Sequence, residues 1–157
     1  MYYNLIDKVY WGDWKSVYQL KYIVGSVICV AGNQEMVDGG YSPLVLPHSI
    51  PYFRLAERDR AFPTDAYFET MYHVIRSFKR ANLPLLVHCY MGIHRSPIVA
   101  IMAALALEND SAEYYKFLLT AVENIIPDFK ETRKFNYSVA AQGWIERRLL
   151  STSPQKI

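Results

Sequence analysis

LLVHCYMGIHRSPIVAIMAALAL, residues 85–107, changes character twice along its length. Leu85 to His88 is apolar, too short for a helix and bounded by Pro84 and a turn, so it reads as a strand buried on both faces, as in a parallel sheet. Pro97 to Leu107 is apolar all round and long enough for a central helix, with Pro97 suited to its first position. Between the two, Cys89-Tyr90-Met91-Gly92-Ile93-His94-Arg95-Ser96 is a turn from a strand end to a helix start. That junction is where an α/β protein normally places a ligand. Its backbone N–H groups lack strand or helix partners and converge on the positive end of the following helix, which makes an anion site. Gly92 allows a backbone conformation that other residues resist. Cys89 opens the loop, where a helix terminus favours the thiolate. Arg95 closes it, where a planar guanidinium can grip two oxygens of a phosphate.

Outward from this junction the chain reads as one continuous α/β pattern, with no repeat, linker or charge block. Residues 1–11 predict an edge strand, and Asp13 caps a short helix through Leu20. Residues 22–30 form a strongly apolar strand interrupted by Gly25, and SIPYFRL at 49–55 forms another. Gly39, Gly40, Pro43 and Pro47 make 34–48 a loop, with a short strand expected at 44–46. Thr64 N-caps a helix with Asp65 in its first turn, and Phe68, Met71, Ile75 and Phe78 recur at helical spacing. That helix should stop near Ala81 and Asn82. Ser111 caps a further helix through Ile125, a last helix runs from Lys130 to Leu150, and 151–157 frays off as a tail. The expected architecture is α/β: a central, mostly parallel sheet of about four to five strands flanked by helices, in one domain over residues 1–157.

Composition narrows the function classes. The 157 residues are 52% apolar and 20% charged, enough to bury a core and too apolar for disorder. Seventeen Lys+Arg against fifteen Asp+Glu give +2, too balanced for a large basic field, so no nucleic-acid partner is expected. The longest apolar stretch, Pro97 to Leu107, is far below the roughly 18 residues of a membrane span. The opening MYYNLIDKVYWGDWK carries charges where a secretory leader has its apolar run, which predicts an intracellular, cytoplasmic protein. Cys29, inside YIVGSVICVAG, reads as a small hydrophobe of a buried strand. Cys89 sits in a context that no core cysteine needs.

Cys89 and Arg95 with five residues between them, preceded by His88 and followed by Ser96, form an HCxxGxxRS signature. It resembles that of the cysteine-dependent phosphatases, most closely the small dual-specificity and protein tyrosine phosphatases. VYWGDWKSV at 9–17, YIVGSVICVAGN at 22–33 and SIPYFRLAERDRAFPTDAYF at 49–68 are similar, more weakly, to segments of that family. Asn136 and Gln142 match the spacing of a family Asn and Gln, without the Pro and Gly usual around that Asn; residues 34–48 and 125–135 match poorly. Low-molecular-weight phosphatases and arsenate reductases place the loop near the N-terminus and follow it with an Asp-Pro pair, whereas here Pro127-Asp128 is the reverse dipeptide.

The resemblance implies a phosphatase acting through a cysteinyl-phosphate. Cys89 attacks phosphorus, and Arg95 with the loop Tyr90, Met91, Gly92, Ile93, His94 binds the phosphate. The general acid lies, in such enzymes, in the loop after the preceding strand, a place Asp59 fills 30 residues before Cys89, with Glu57 as runner-up and Asp65 assigned to its helix terminus. His88 is expected beneath the sulfur, hydrogen-bonding the loop and helping to keep the thiolate. Ser96 is expected to donate to the sulfur as the intermediate breaks down, or simply to cap its helix. The thiolate is the nucleophile, so neither a metal nor a cofactor is expected, and His48, His73, His88 and His94 lack a paired ligand spacing. The variable loop positions Tyr90, Met91, Ile93 and His94 are mostly apolar, which suits one phosphate on a protein side chain: a phosphorylated protein substrate, phosphotyrosine first and phosphoserine or phosphothreonine next. The alternatives are the same chemistry on a phosphoinositide, an RNA 5′-triphosphate or a nucleotide, and a phosphate-binding module without turnover. The reading requires a sulfur open to solvent, with loop amides turned towards a common centre. An exposed thiolate would also be prone to oxidation, with Cys29 as a conceivable disulfide partner.

Overall fold

The structure is a computed structural model that describes residues 1–32, 50–55, 57, 61–92 and 94–152. Asp59, Ile93 and the strand expected at 44–46 lie outside these. Five strands form one sheet: β1 (Tyr2–Ile6), β2 (Val9–Gly12), β3 (Ser26–Cys29), β4 (Tyr52–Arg54) and β5 (Leu85–His88), in the spatial order β1-β2-β5-β3-β4. β1 and β2 pair antiparallel and every other neighbour pairs parallel. The mostly parallel sheet expected from the sequence is therefore present. β5 lies at its centre and all four of its residues are buried, which is why LLVH carries no polar alternation before its final histidine.

The helices are α1 (Ser16–Leu20), α2 (Asp65–Arg76), α3 (Arg95–Leu107), α4 (Ala112–Ile125), α5 (Phe129–Thr132) and α6 (Asn136–Thr152), with a 3-10 turn at Arg80–Asn82. α3 is buried from Arg95 through Ala106, as its uniformly apolar sequence demands. One face of the sheet, with Ile28, Leu85 and Val87, joins the large core containing Phe68, Met71, Ile98, Ile101 and Trp144. The opposite face, with Val27 and Leu86, packs on Val17 and Leu20 of α1. Thr64 accepts a hydrogen bond from Tyr67 N and Ser111 from Tyr114 N, so both N-caps are made by the residues the sequence indicates. For α1 the cap position is Lys15, without a side-chain bond, and not Asp13 as expected, although Asp13 accepts from Ser16 N at 3.1 Å at the helix entry.

Several boundaries differ from expectation, and the strands expected over 22–30 and 49–55 are cut to Ser26–Cys29 and Tyr52–Arg54. The single strand over 1–11 is a hairpin turning at Asp7-Lys8, in which β1 lies at the sheet edge and β2 pairs on both sides. α2 ends at Arg76, where the Ser77 hydroxyl and N–H turn back on the last carbonyls; Phe78 packs beyond the helix, 5.7 Å from the Phe53 ring. α3 starts at Arg95, making Pro97 its third residue, a first-turn position where a missing N–H costs nothing. The helix expected over 130–150 is two, α5 and α6, divided where Gln142 binds the Arg133 carbonyl and guanidinium.

Register aligns the carboxyl ends of four strands. Gly12 pairs with His88, His88 with Cys29, and Cys29 with Arg54, so the loop that follows His88 leaves the sheet at the edge where parallel α/β folds bind ligands.

Candidate active site

The loop after β5 is built against the end of β2. The Gly12 carbonyl accepts from Cys89 N at 3.3 Å and from Ser96 Oγ at 3.2 Å, and the Tyr90 carbonyl accepts from Trp14 N at 3.2 Å. One carbonyl of β2 thus ties the first residue of the loop to the first turn of α3. Gly92 has φ +79°, and a Cβ there would stand 2.6 Å from Asp13 N and 2.8 Å from Gly12 C. Both the backbone conformation and the close approach require glycine.

At the floor of the loop, Gly92 N donates to Cys89 Sγ at 3.2 Å, and Ser96 Oγ lies 3.3 Å from the same sulfur. The N–H groups of Tyr90 and Met91 have no acceptor among the described residues. Ser96 has one proton for two neighbours. While the thiol holds its own proton, S–H points to Ser96 Oγ and the Ser96 hydroxyl to Gly12 O; once the sulfur is an anion, the hydroxyl can turn to it. Ser96 is therefore a partner of the sulfur, and the alternative of a simple N-cap is set aside: the cap position is His94, without a side-chain bond. Arg95 is the first residue of α3 and 3% exposed, and its Nη1 donates to the Glu57 carbonyl at 2.8 Å. The Glu57 backbone is held in turn by Val30 O at 3.2 Å.

One expectation is corrected here. Cys89 is 1% exposed, so the solvent-open sulfur that the sequence reading requires is not seen: it lies beneath the Gly92 amide and against Ser96, and attack on a phosphate needs the loop to open a path to it. His94 holds the cap position of α3 without a side-chain cap bond. Its ring is buried edge-on against Phe135, centroids 4.8 Å apart, and its carbonyl accepts from Ser138 Oγ at 3.3 Å. Gln142 holds Arg133 and the Ser138 carbonyl, away from the loop. Asp65 pairs with Arg147 at 2.7 Å on the surface.

His88 lies one residue before the sulfur on the other face of the sheet. Its Nδ1 is 3.3 Å from the Cys89 carbonyl and its Nε2 3.5 Å from the Tyr52 hydroxyl. A carbonyl only accepts, so Nδ1 carries the proton and Nε2 accepts from Tyr52. Burial lowers its pKa to about 4, so the ring is neutral at pH 7 and lends the sulfur a hydrogen-bonded scaffold but no charge. Between pH 6.5 and about 4 the unfolded chain takes up this proton before the folded one does, so stability falls as pH falls through that window, by about 3 kcal/mol from this group. Denaturant melts of His88→Phe should show a correspondingly flatter dependence over those pH values; an unchanged slope would show that His88 is not the group that titrates.

Cys29 lies level with His88 and shares its face, packed with Ala31, Trp14, Tyr52 and Tyr90, while Cys89 packs with the core of the opposite face. Burial raises the Cys29 pKa. That arrangement suits a small core hydrophobe and sets the two sulfurs on different sides of the sheet, against the disulfide considered from sequence.

Sequence reading missed Gly12, whose carbonyl organises the loop, and the Tyr67–Tyr137 hydroxyl pair at 2.9 Å. Only the Gly-Asp pair closing β2 hints at the first, and no local signal marks the second.

No sequence-family model matches the chain, and no curated protein matches it in sequence. Solved structures do match it in three dimensions. A mutant form of Tk-PTP aligns with TM-score 0.73 and 16% identity over 95% of this chain and 97% of that one. Human DUSP28 aligns with TM-score 0.68 and 18% identity, covering 92% and 93%. OH1 from the Orf virus, a tyrosine phosphatase described as having triple substrate specificity, aligns with TM-score 0.62 and 16% identity, covering 96% and 87%. At these identities the likeness is one of architecture: the chain has the fold of the small tyrosine and dual-specificity phosphatases.

Proposed function

We propose that this chain is a cysteine-dependent phosphatase that hydrolyses phosphate monoesters on protein side chains. One observation carries the reading: the Cys89 sulfur, the Gly92 N–H and the Ser96 hydroxyl meet at the start of α3, with Arg95 as that helix's first residue. A phosphate dianion docks on the loop amides, with those of Tyr90 and Met91 as available donors, and on the Arg95 guanidinium. The Cys89 thiolate attacks phosphorus in line, the P–O bond to the substrate breaks, and Asp59 gives its proton to the departing oxygen. Water then attacks the cysteinyl-phosphate, giving its proton to the Asp59 carboxylate. Phosphate leaves, and the returning sulfur anion receives the Ser96 hydroxyl. Glu57, whose backbone carbonyl is bound to Arg95, is the second candidate for the acid.

Met91, 64% exposed, and the half-buried Tyr90, packed on Cys29 and Ala31, give the loop an apolar rim. An aryl phosphate gains more from such a rim than a polyanion does, which supports phosphotyrosine as the preferred group. No described helix is long and apolar enough to cross a membrane. Both cysteines are free, and a thiol nucleophile needs a reducing compartment, which supports a cytoplasmic location.

The test is a panel of phosphotyrosine and phosphoserine peptides, a phosphoinositide, an RNA 5′-triphosphate and a nucleotide, run with wild type and Asp59→Asn. Phosphotyrosine peptides should turn over fastest. Asp59→Asn should cost on the order of 10² in kcat on phenyl phosphate and much less on p-nitrophenyl phosphate, whose leaving group needs little help. Preference for a polyphosphorylated substrate would replace the proposed substrate class, and an undiminished Asp59→Asn would move the acid to Glu57.

A further inference from the structure

We propose that the hydroxyls of Tyr67 and Tyr137 position Arg95, acting through the backbone of Leu55 and Glu57 as an outer support for the guanidinium. The inference rests on the reading of Arg95 as the phosphate-binding side chain. Arg95 Nη1 donates to the Glu57 carbonyl at 2.8 Å, so the place of that carbonyl sets where one prong of the fork lies. The segment bearing it is pinned at Leu55 N by Cys29 O, at Glu57 N by Val30 O, and at the Leu55 carbonyl by the Tyr67 hydroxyl. The Leu55 carbonyl only accepts, so the Tyr67 proton points to it. The Tyr137 hydroxyl, 2.9 Å from that of Tyr67, must then donate to Tyr67.

The order of the bonds is thus fixed: Tyr137 to Tyr67, Tyr67 to Leu55, and Glu57, two residues on, to Arg95. Tyr137 is 0% exposed, and Arg95 lies within electrostatic reach of both hydroxyls. The residue after Tyr137 serves the other side of the site, because Ser138 Oγ donates to the carbonyl of His94, the neighbour of Arg95. The first turn of α6 therefore braces the Arg95 backbone through His94 and the Arg95 side chain through Glu57. Neither tyrosine touches the sulfur, so both are positioning residues. Their rings have separate packing duties, edge-on to Phe68 at 5.1 and 5.7 Å, which phenylalanine would keep. The hydroxyls alone carry the bracing.

The experiment measures tungstate affinity by calorimetry in a Cys89→Ser background, where no turnover intrudes, with Tyr67→Phe or Tyr137→Phe added. Tyr115→Phe is the control, because it removes a buried hydroxyl that has no partner among the described residues. Tyr67→Phe should weaken tungstate about tenfold, Tyr137→Phe less, and Tyr115→Phe not at all. With Cys89 intact, Tyr67→Phe should lower kcat/KM by the same factor on phenyl and p-nitrophenyl phosphate, unlike Asp59→Asn, since the oxyanion and not the leaving group is affected. Unchanged tungstate affinity in a folded Tyr67→Phe protein, or an equal loss in Tyr115→Phe, overturns the bracing role and leaves the phosphatase reading standing. Absence of any tungstate binding in the Cys89→Ser parent overturns the phosphate-site reading itself, and this inference with it.

Discussion

Cys89→Ser is expected to hydrolyse no phosphate ester above background, a loss of at least ~10⁴ in kcat, while still binding tungstate. A serine hydroxyl is a weak nucleophile unless a base removes its proton, and among the described residues none is placed against position 89 to do so. The preceding imidazole, His88, is neutral, donates from Nδ1 to the residue-89 carbonyl and turns Nε2 towards Tyr52, so neither nitrogen faces the nucleophile. Ser96 and Gly92 N are donors suited to an anion already formed, and they cannot create one. The same contacts, at 3.3 and 3.2 Å, fit a serine oxygen without steric conflict, which is why anion binding should survive. The burial of Cys89 makes a second measurement decisive. Iodoacetamide should modify Cys89 in the native protein, with phosphate protecting it, and should leave Cys29 untouched on the other face of the sheet. A Cys89 that stays unmodified in the folded protein, or a serine variant that keeps its activity, would remove the nucleophile from the mechanism.

What was legible in the sequence was local. Leu85 to His88 and Pro97 to Leu107 owe their form to burial on all sides, and burial writes itself as uninterrupted apolar residues. Thr64 and Ser111 announce helix starts because a cap works within one turn. The loop between Cys89 and Arg95 was readable for the same reason, since spacing alone brings both ends to one strand–helix junction. What escaped reading depends on residues far apart in the chain. Gly12 serves Ser96 across 84 positions, Tyr67 meets Tyr137 across 70, and Arg95 reaches a backbone carbonyl at Glu57 that no side-chain pattern encodes. The hairpin of β1 and β2 was missed because Asp7-Lys8 is a turn without glycine. The reach of the last helix was overestimated because helical spacing continues across Arg133–Phe135, where a tertiary contact from Gln142 divides it.

Arg95→Lys should lower kcat/KM by roughly 10³, although it preserves the formal charge. The guanidinium at this position has two tasks at once. One N–H binds the Glu57 carbonyl at 2.8 Å, and the proposed phosphate contact takes two parallel N–H groups along an edge of the same plane. An ammonium is a point donor on a flexible stem. It can reach the carbonyl or the phosphate, but it cannot span both with a fixed angle between them, so the phosphoryl oxygens lose their bidentate partner as charge is redistributed over them in the transition state. Burial adds to the loss, because at 3% exposure a lysine surrenders a hydration shell that arginine holds more weakly. The deficit should fall mainly on kcat, with tungstate affinity reduced less, since a resting anion tolerates a misplaced cation better than a transition state does. It should also be equal for good and poor leaving groups, which separates it from a defect of the acid. An Arg95→Lys protein within a few-fold of wild type would mean that charge alone suffices at this position, and the bidentate geometry argued for the site would have to be given up.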